Sequence, residues 1–147
     1  MEILPHFWIS DSLKNYNYVS RKNIKVIIIL SKFKKFLKNF NEEQIRIPLE
    51  KFNNIKHRNN ILYQHLFDVT SYINQKINEN KKILLVGNEY DNSTLDIFIL
   101  SYLIRYGKIK PEYAYYFLKS KKNNIHEHLD NYYYILNKFY NNLNNKF

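Results

Sequence analysis

The chain of 147 residues contains no cysteine. It therefore cannot form a disulfide, a thiolate metal site or a cysteine nucleophile, and every thiol-based mechanism is excluded. Long apolar runs are also missing, because residues 26–30 and 83–86 are far too short to cross a bilayer. The opening residues, MEILPHFWIS, do not resemble a signal peptide, since proline and histidine interrupt a short apolar stretch after an acidic residue. The sequence accordingly predicts a soluble, intracellular protein.

Core-forming residues are plentiful. Hydrophobic residues make up 45% of the chain and aromatic residues 17%, which is too much for a disordered protein. A length of 147 residues suits a single core. We therefore expect one domain that spans residues 1–147.

The charge is strongly positive, at +10 from 23 lysine and arginine residues against 13 acidic residues. Such a charge favours anionic partners such as nucleic acid, an acidic protein or an anionic membrane face. The lysines are spread along the chain without a dominant basic block, and a solvated surface would give the same composition. The charge alone does not choose between these interpretations.

Strand and helix patterns alternate along the chain. Apolar runs bounded by polar residues predict strands, and apolar positions at helical spacing predict helices. The strands are predicted at 3–9, 25–30, 44–49 and 82–86, and the helices at 12–22, 31–40, 61–77, 94–106, 110–121 and 125–143. Gly107 is predicted to cap the helix 94–106, and Pro111 suits the first turn of the next helix. This alternation predicts an α/β fold, with a central, mostly parallel sheet flanked by helices.

Aromatic and histidine residues in the C-terminal third have two interpretations. Tyrosines at 113, 115, 116 and 132–134 could stack on bases or partner proteins, but helical aromatics are more often core residues. His126 and His128 lie two residues apart on a predicted helix and would point to different faces, which argues against a shared metal ion. No metal site and no cofactor are predicted.

Four segments carry a resemblance to a known family. They are residues 3–11 (ILPHFWISD), 23–31 (NIKVIIILS), 46–49 (RIPL) and 102–121 (YLIRYGKIKPEYAYYFLKSK). Together they resemble the dual-specificity protein phosphatases, which have the cysteine-dependent tyrosine phosphatase fold. The pattern FDVT at 67–70 is similar to the poxvirus members of that family. The resemblance implies the same fold for the whole chain.

The resemblance also implies where a catalytic loop would lie. In active members, a strand ending in His-Cys opens a Cys-x5-Arg loop at a helix N-terminus, where backbone N–H groups attract a phosphate. That pattern puts Gly87 at the histidine, Asn88 at the cysteine and Thr94 at the arginine. An amide is a poor nucleophile, and threonine lacks the charged, two-pronged donor of arginine. All three signature side chains are replaced, so catalysis is predicted to be lost.

The interior of the loop is changed as well. Glu89, Tyr90 and Asp91 replace small residues and bring two carboxylates to the place where a phosphate would bind. The helix dipole would stabilise these carboxylates, and Asn92 or Ser93 could cap the helix. We expect the anion site to be blocked or occupied by the loop itself. A plain strand-to-helix turn, weak anion binding through Asn88 and Ser93, and a metal site on Glu89, Asp91 and Asp96 are the alternatives.

The general acid of active members is an aspartate on another loop. Residues 51–67 contain no aspartate or glutamate, and the nearest matching positions are Asn60 and Ile61. Neither side chain can supply a proton as a carboxylic acid would.

The resemblance and the substitutions together predict a catalytically inactive relative of the dual-specificity phosphatases. Such a chain is expected to act as a protein-interaction or regulatory module with an unidentified protein partner. A basic nucleic-acid or anion-binding domain that uses the lysine-rich surface is the alternative. Self-association into a homo-oligomer is also open.

Overall fold

A computed structural model describes residues 1–12, 16–91, 93–122, 125 and 129–146. The start of the predicted helix 12–22, Asn92 of the predicted loop, and His126 and His128 lie outside the described residues. Among the described residues, none of the helices has the length and apolar character needed to span a membrane.

Five strands form one mixed sheet in the order β1-β2-β5-β3-β4. β1 pairs with β2 in antiparallel fashion, while the β2–β5, β5–β3 and β3–β4 pairs are all parallel. Together with the helices, this confirms the predicted α/β class and the mostly parallel sheet. The strands are β1 (Glu2–Leu4), β2 (Phe7–Ser10), β3 (Ile24–Ile29), β4 (Glu43–Arg46) and β5 (Lys82–Val86).

The strand β5 lies at the centre of the sheet, between β2 and β3. Residues 83–86 are fully buried, which explains why this strand is a continuous apolar run rather than an alternating one. Val86 is level with both Ser10 of β2 and Ile29 of β3. The residues that follow these three strands therefore meet at one edge of the sheet.

Five helices lie between or after the strands in the described part of the chain. The longest of them, α2, begins at Ile55 rather than at residue 61. Asn54 explains the earlier start, because its side-chain oxygen accepts a hydrogen bond from the backbone N–H of His57 at 2.8 Å, as an N-cap does. The helices are α1 (Tyr16–Arg21), α2 (Ile55–Asn78), α3 (Ser93–Gly107), α4 (Pro111–Lys121) and α5 (Leu129–Lys146).

Three local predictions were wrong. The strand predicted at 3–9 is a hairpin, because Pro5 and His6 form a turn in which His6 has a φ of 73°. Gly107 does not adopt the left-handed conformation of a helix cap; Lys108, with a φ of 55°, adopts it instead. The third error, the helix predicted at 31–40, bears on the site.

Residues 31–40 form an irregular loop. The Ser31 hydroxyl accepts hydrogen bonds from the backbone N–H groups of Phe33 and Lys34, at 3.1 and 3.2 Å. The Gln44 side chain bonds both the N–H and the C=O of Leu37, at 2.8 and 2.9 Å. These polar side chains satisfy the backbone groups that a helix would otherwise pair, and so they compete with helix formation.

The chain divides into two compact units by its internal contacts: Met1–Lys51 with Ile73–Leu95, and Phe52–Tyr72 with Asp96–Phe147. The first unit contains the sheet and α1. One of its buried clusters comprises Val19, Ile24, Ile27, Ile29, Leu84 and Val86. A single domain over residues 1–147 stays a prediction.

The second unit contains most of α3, together with α4 and α5. Its interior includes a buried polar group, since the Asp96 carboxylate is fully buried. Lys122 donates to this carboxylate at 2.7 Å and the Tyr132 hydroxyl donates to it at 2.9 Å. A buried carboxylate needs such partners, because an unpaired charge in the interior is costly.

Candidate functional site

The candidate site is the loop that begins at Gly87 after β5, together with Ser93 and Thr94 at the start of α3, at the carboxyl edge of the sheet. Ligand sites of open α/β sheets occur at this edge. The backbone N–H of Gly87 donates to the carbonyl of Ser10 at 2.9 Å, which continues the β2–β5 pairing into the loop. A side chain at Gly87 would meet the Leu95 Cβ at 3.6 Å, an ordinary contact distance. The glycine is therefore not sterically required there.

Asn88 is a buried structural residue of this loop, with only 3% of its surface exposed. Its amide nitrogen donates to the carbonyl of Leu49 at 3.3 Å, and its amide oxygen accepts from the backbone N–H of Tyr90 at 2.7 Å. Both ends of the amide are thus used to hold the loop. The residue has neither the exposure nor the chemistry of a nucleophile.

A tight turn at Glu89 and Tyr90 follows Asn88. Asn88 and Asp91 pair across the turn as an isolated antiparallel bridge, and the two residues between them are exposed. In this short turn the Glu89 carboxylate is in solvent at the mouth of the loop. A phosphate approaching the loop would meet this negative charge.

Asp91 caps the helix α3. One oxygen of its carboxylate accepts hydrogen bonds from both the backbone N–H and the hydroxyl of Ser93, the first at 2.9 Å. The cap expected at Asn92 or Ser93 stays a prediction, since Asn92 lies outside the described residues and Ser93 is seen here as a donor to Asp91. The carboxylate lies at the positive end of the helix, the place where an anion is most stable. The loop thus supplies its own anion.

Thr94 lies in the first turn of α3 and is fully buried. Its backbone N–H donates to the carbonyl of Asp91 at 3.2 Å. Its hydroxyl makes no hydrogen bond within the described part of the chain. A short, buried, neutral side chain at this position cannot reach out to hold phosphoryl oxygens.

Lys34 is a site residue that sequence reasoning missed, because it lies within the helix predicted at 31–40 and far along the chain from the loop. Its ammonium group donates to the carbonyls of Asp11 and Gly87, at 2.7 Å each, and so ties the residues that follow β2 and β5. Burial lowers the pKa of Lys34, while the nearby Glu89 and Asp11 carboxylates act in the opposite direction. Lys34 is one of four lysines between residues 31 and 40, and no sequence signal distinguishes it from the others.

An aromatic rim, formed by Phe33 and Tyr90, borders the loop, and Phe36 is a further exposed aromatic residue of the segment 31–40. The Phe33 and Tyr90 rings meet edge to face, with centroids 6.3 Å apart and planes at 88°. The Arg46 guanidinium lies 4.8 Å from the centre of the Phe36 ring. About half of each side chain is exposed, at 57%, 46% and 52% for Phe33, Phe36 and Tyr90. Neighbouring exposed aromatics of this kind are common at interaction sites.

The positions predicted for the general acid lie in the other unit. Asn60 and Ile61 are inside α2, since that helix begins at Ile55. An acidic residue, Glu50, lies between β4 and α2 in the sequence, but its exposed carboxylate forms an ion pair with Lys32 at 2.5 Å. Asn60 and Ile61 carry no acidic group, as the sequence indicates.

The carboxylates considered for a metal site do not form one. Asp96 is held by Lys122 and Tyr132 in the second unit, so it is not available to act with Glu89 and Asp91. Among the described residues, no group of three histidine, aspartate or glutamate side chains is placed to hold a metal ion. The loop is therefore not supported as a metal centre.

The tyrosines of α4 and α5 divide between interior and surface. Tyr115 and Tyr132 are buried, as predicted for core residues. Tyr113, Tyr116 and Tyr134 are each more than half exposed, so for them the core prediction was wrong. These residues lie outside the aromatic rim.

No protein-family model matches the chain, and no curated protein matches it. Solved structures do match. Human DUSP28 superposes with a TM-score of 0.80 over 99% of this chain and 99% of its own, at 14% sequence identity. The human tyrosine phosphatase-like serine/threonine/tyrosine-interacting protein gives 0.72, covering 94% and 93% of the two chains at 16% identity.

A third match is a leucine rich repeat and phosphatase domain containing protein from Entamoeba histolytica. It gives a TM-score of 0.71 at 13% identity and covers 99% of this chain and 92% of its own. The structural neighbours are thus dual-specificity phosphatases and phosphatase-like proteins. At these identities the likeness shows the fold, and it agrees with the fold that the sequence resemblance implies.

Proposed function

We propose that this protein is a catalytically inactive relative of the dual-specificity phosphatases that acts as a protein-binding module. The observation that carries the proposal is Asn88. At the position that matches the nucleophilic cysteine of the family, a buried amide holds the loop through Leu49 and Tyr90. Such a side chain has a structural role and no means of attacking phosphorus.

The loss of phosphate binding is supported independently by Asp91. Its carboxylate accepts a hydrogen bond from the backbone N–H of Ser93 at the start of α3, a donor that a bound phosphate would otherwise attract. The exposed Glu89 adds a second negative charge, and Thr94 is a buried, neutral residue where the family has arginine. A phosphate dianion would lose its binding groups and meet two like charges.

Catalysis is tested with a fluorogenic aryl phosphate, using the wild-type protein and Asn88→Ala. Both proteins should release product at the rate of the buffer blank. If the wild type hydrolysed the substrate and Asn88→Ala did not, the proposal would be refuted. Because Asn88 holds the loop, the melting temperature of the variant is measured alongside.

The binding role is supported by the aromatic rim. Truncating a central interface aromatic costs about 2 kcal/mol or more, so Phe33→Ala/Tyr90→Ala should weaken partner capture by roughly tenfold or more. Tyr113→Ala is the matched control, since this residue is 65% exposed on α4. The wild type, the double variant and Tyr113→Ala are each immobilised as bait. Each bait is incubated with nuclease-treated host extract, and the proteins that the three baits retain are compared.

The result expected is a protein that survives moderate salt, is retained by wild type and Tyr113→Ala, and is lost with the double variant. Retention that disappears with nuclease and falls steeply with salt would instead assign the chain to nucleic-acid binding through its +10 charge. Equal capture by all three baits would exclude the aromatic rim as the interface.

A further inference from the structure

A cavity of about 550 Å³ lies in the second unit, between the end of α3 and the last turns of α5. Its volume is in the range of small-molecule sites, roughly 300–1,000 Å³. None of the described residues that line it belongs to the loop after β5. Among the residues that the structure describes, its lining comprises Ile104, Arg105, Tyr106, Lys108, Tyr140, Leu143 and Asn144.

One part of the cavity is apolar. Ile104 and Leu143 are buried residues that contribute aliphatic wall. The Tyr106 ring is held by the Tyr102 ring, with centroids 5.2 Å apart. Tyr102 is itself buried, and this burial raises its pKa. Such a wall favours a hydrophobic ligand body.

The other part of the cavity is positively charged, through Arg105 and Lys108. One terminal nitrogen of Arg105 donates to the Phe67 carbonyl at 2.8 Å and the Thr70 hydroxyl at 3.2 Å, which fixes the guanidinium. Its centre also lies 5.1 Å from the middle of the Tyr106 ring. Within the described residues, neither Arg105 nor Lys108 pairs with a carboxylate, and none of the lining residues is acidic. The remaining N–H groups of Arg105 make no hydrogen bond to the residues that the structure describes.

Hydroxyl donors add to these cations. The phenols of Tyr106 and Tyr140 make no hydrogen bond to any part of the chain that the structure describes. The carbonyl end of α3 contributes a partial negative charge of about half a unit, which two cations outweigh. Cations and hydroxyls beside an apolar wall match the two ends of an amphipathic anion.

We propose that this cavity binds an amphipathic anion, a single apolar body that carries one carboxylate or phosphate monoester head. Arg105 and Lys108 contact the head, with the tyrosine hydroxyls in support. Ile104 and Leu143 contact the body. The ligand class is therefore a fatty acid or a single-chain phosphate lipid, which share this chemistry.

The test is calorimetric titration of the full-length protein with decanoate, decyl phosphate and decanol, all below their micelle concentrations. Saturable one-to-one binding of an anion, at least tenfold tighter than that of decanol, is expected. The titrations with the two anions distinguish the two ligand classes. Tighter binding of decanoate indicates a fatty acid, and tighter binding of decyl phosphate indicates a phosphate lipid. No saturable binding of either anion, or equal binding of decanol, would overturn the proposal.

Variants locate the site. Lys108→Gln should weaken anion binding about two- to fivefold, as expected for an exposed charge. Arg105→Gln/Lys108→Gln should weaken it at least tenfold, as expected for a charge-assisted hydrogen bond. The matched control is Lys110→Gln/Lys119→Gln, which removes the same charge from exposed positions outside the cavity lining. Equal effects of the two double variants would refute the location.

Arg105 ties α3 to the backbone of α2, so its loss could impair folding. Lys108→Gln and Leu143→Trp keep the proposal testable. The tryptophan fills the cavity and leaves every charge in place, and it should abolish binding of both anions. Unchanged affinity in a folded Leu143→Trp protein would show that the anion binds elsewhere.

Discussion

Asn88→Cys supplies the nucleophile that the sequence lacks, and we expect it to give no measurable turnover of an aryl phosphate. The arginine is still missing. A bidentate arginine makes two charge-assisted hydrogen bonds of about 1.5–3 kcal/mol each to the phosphoryl oxygens. Its absence at Thr94 therefore costs about 3–6 kcal/mol, or roughly 10²- to 10⁴-fold in kcat/KM.

The carboxylates of the loop lower the expected activity further. Asp91 pairs with residue 88 across the turn and caps α3, and Glu89 is exposed beside it. Both charges disfavour a thiolate and a phosphate dianion in the same place. A cysteine at 88 should therefore be less reactive than a cysteine at an empty helix N-terminus.

The same substitution has a stability cost that follows from two hydrogen bonds. Cysteine cannot replace the bonds of Asn88 to the Leu49 carbonyl and the Tyr90 N–H. Leaving these groups unsatisfied costs about 1–3 kcal/mol each, which corresponds to a fall in Tm of roughly 4–20 °C. Asn88→Ser is the control, because its hydroxyl can still accept from Tyr90.

The assay combines fluorogenic phosphate hydrolysis, with vanadate as inhibitor, and thermal unfolding of each variant. Asn88→Cys/Thr94→Arg should hydrolyse the aryl phosphate faster than Asn88→Cys, since it restores the arginine that binds the phosphoryl oxygens. Robust, vanadate-sensitive turnover by Asn88→Cys alone would refute the reasoning, because it would mean that neither the arginine nor the loop charge matters.

Three further predictions concern single interactions. Lys122→Met should destabilise the protein by about 3–5 kcal/mol by leaving the Asp96 carboxylate buried without its cation, and Asp96→Asn/Lys122→Met should recover much of that loss in denaturant unfolding. Asp91→Ala should cost about 1–2 kcal/mol by removing the cap of α3, measured in the same way; an unchanged midpoint would contradict the assigned cap. The pKa of Lys34, followed by NMR of its side chain, should lie below that of an exposed lysine. Glu89→Gln should lower it further. Because burial depresses this pKa, the folded state binds fewer protons than the unfolded state above the lowered pKa. The contribution of Lys34 to stability should therefore improve as pH rises through that window towards 10.5, and an increase in pKa on Glu89→Gln would contradict the assignment.

Several features could be predicted from the sequence alone, because they depend on residue types and local periodicity. The absence of cysteine excludes thiol chemistry in any fold. The apolar run of β5 and the helical spacing of α3 and α4 have the predicted element type, with bounds within a residue or so. The assignment of Asn88 to the position of the nucleophile rests on the sequence resemblance and stays a prediction.

The tertiary structure decided what the side chains of the site do, because their partners are distant in sequence. Residues 31–40 have a helical pattern, yet they form a loop in which the Gln44 side chain hydrogen-bonds the backbone N–H and C=O of Leu37. This loop places the Lys34 ammonium group against the carbonyl of Gly87, which is 53 residues away in the chain. The sequence groups Asp96 with Glu89 and Asp91 as possible metal ligands. In the structure its carboxylate is bound instead by Lys122 and Tyr132, 26 and 36 residues later. Local periodicity cannot report such pairs, since each depends on chain segments that only folding brings together.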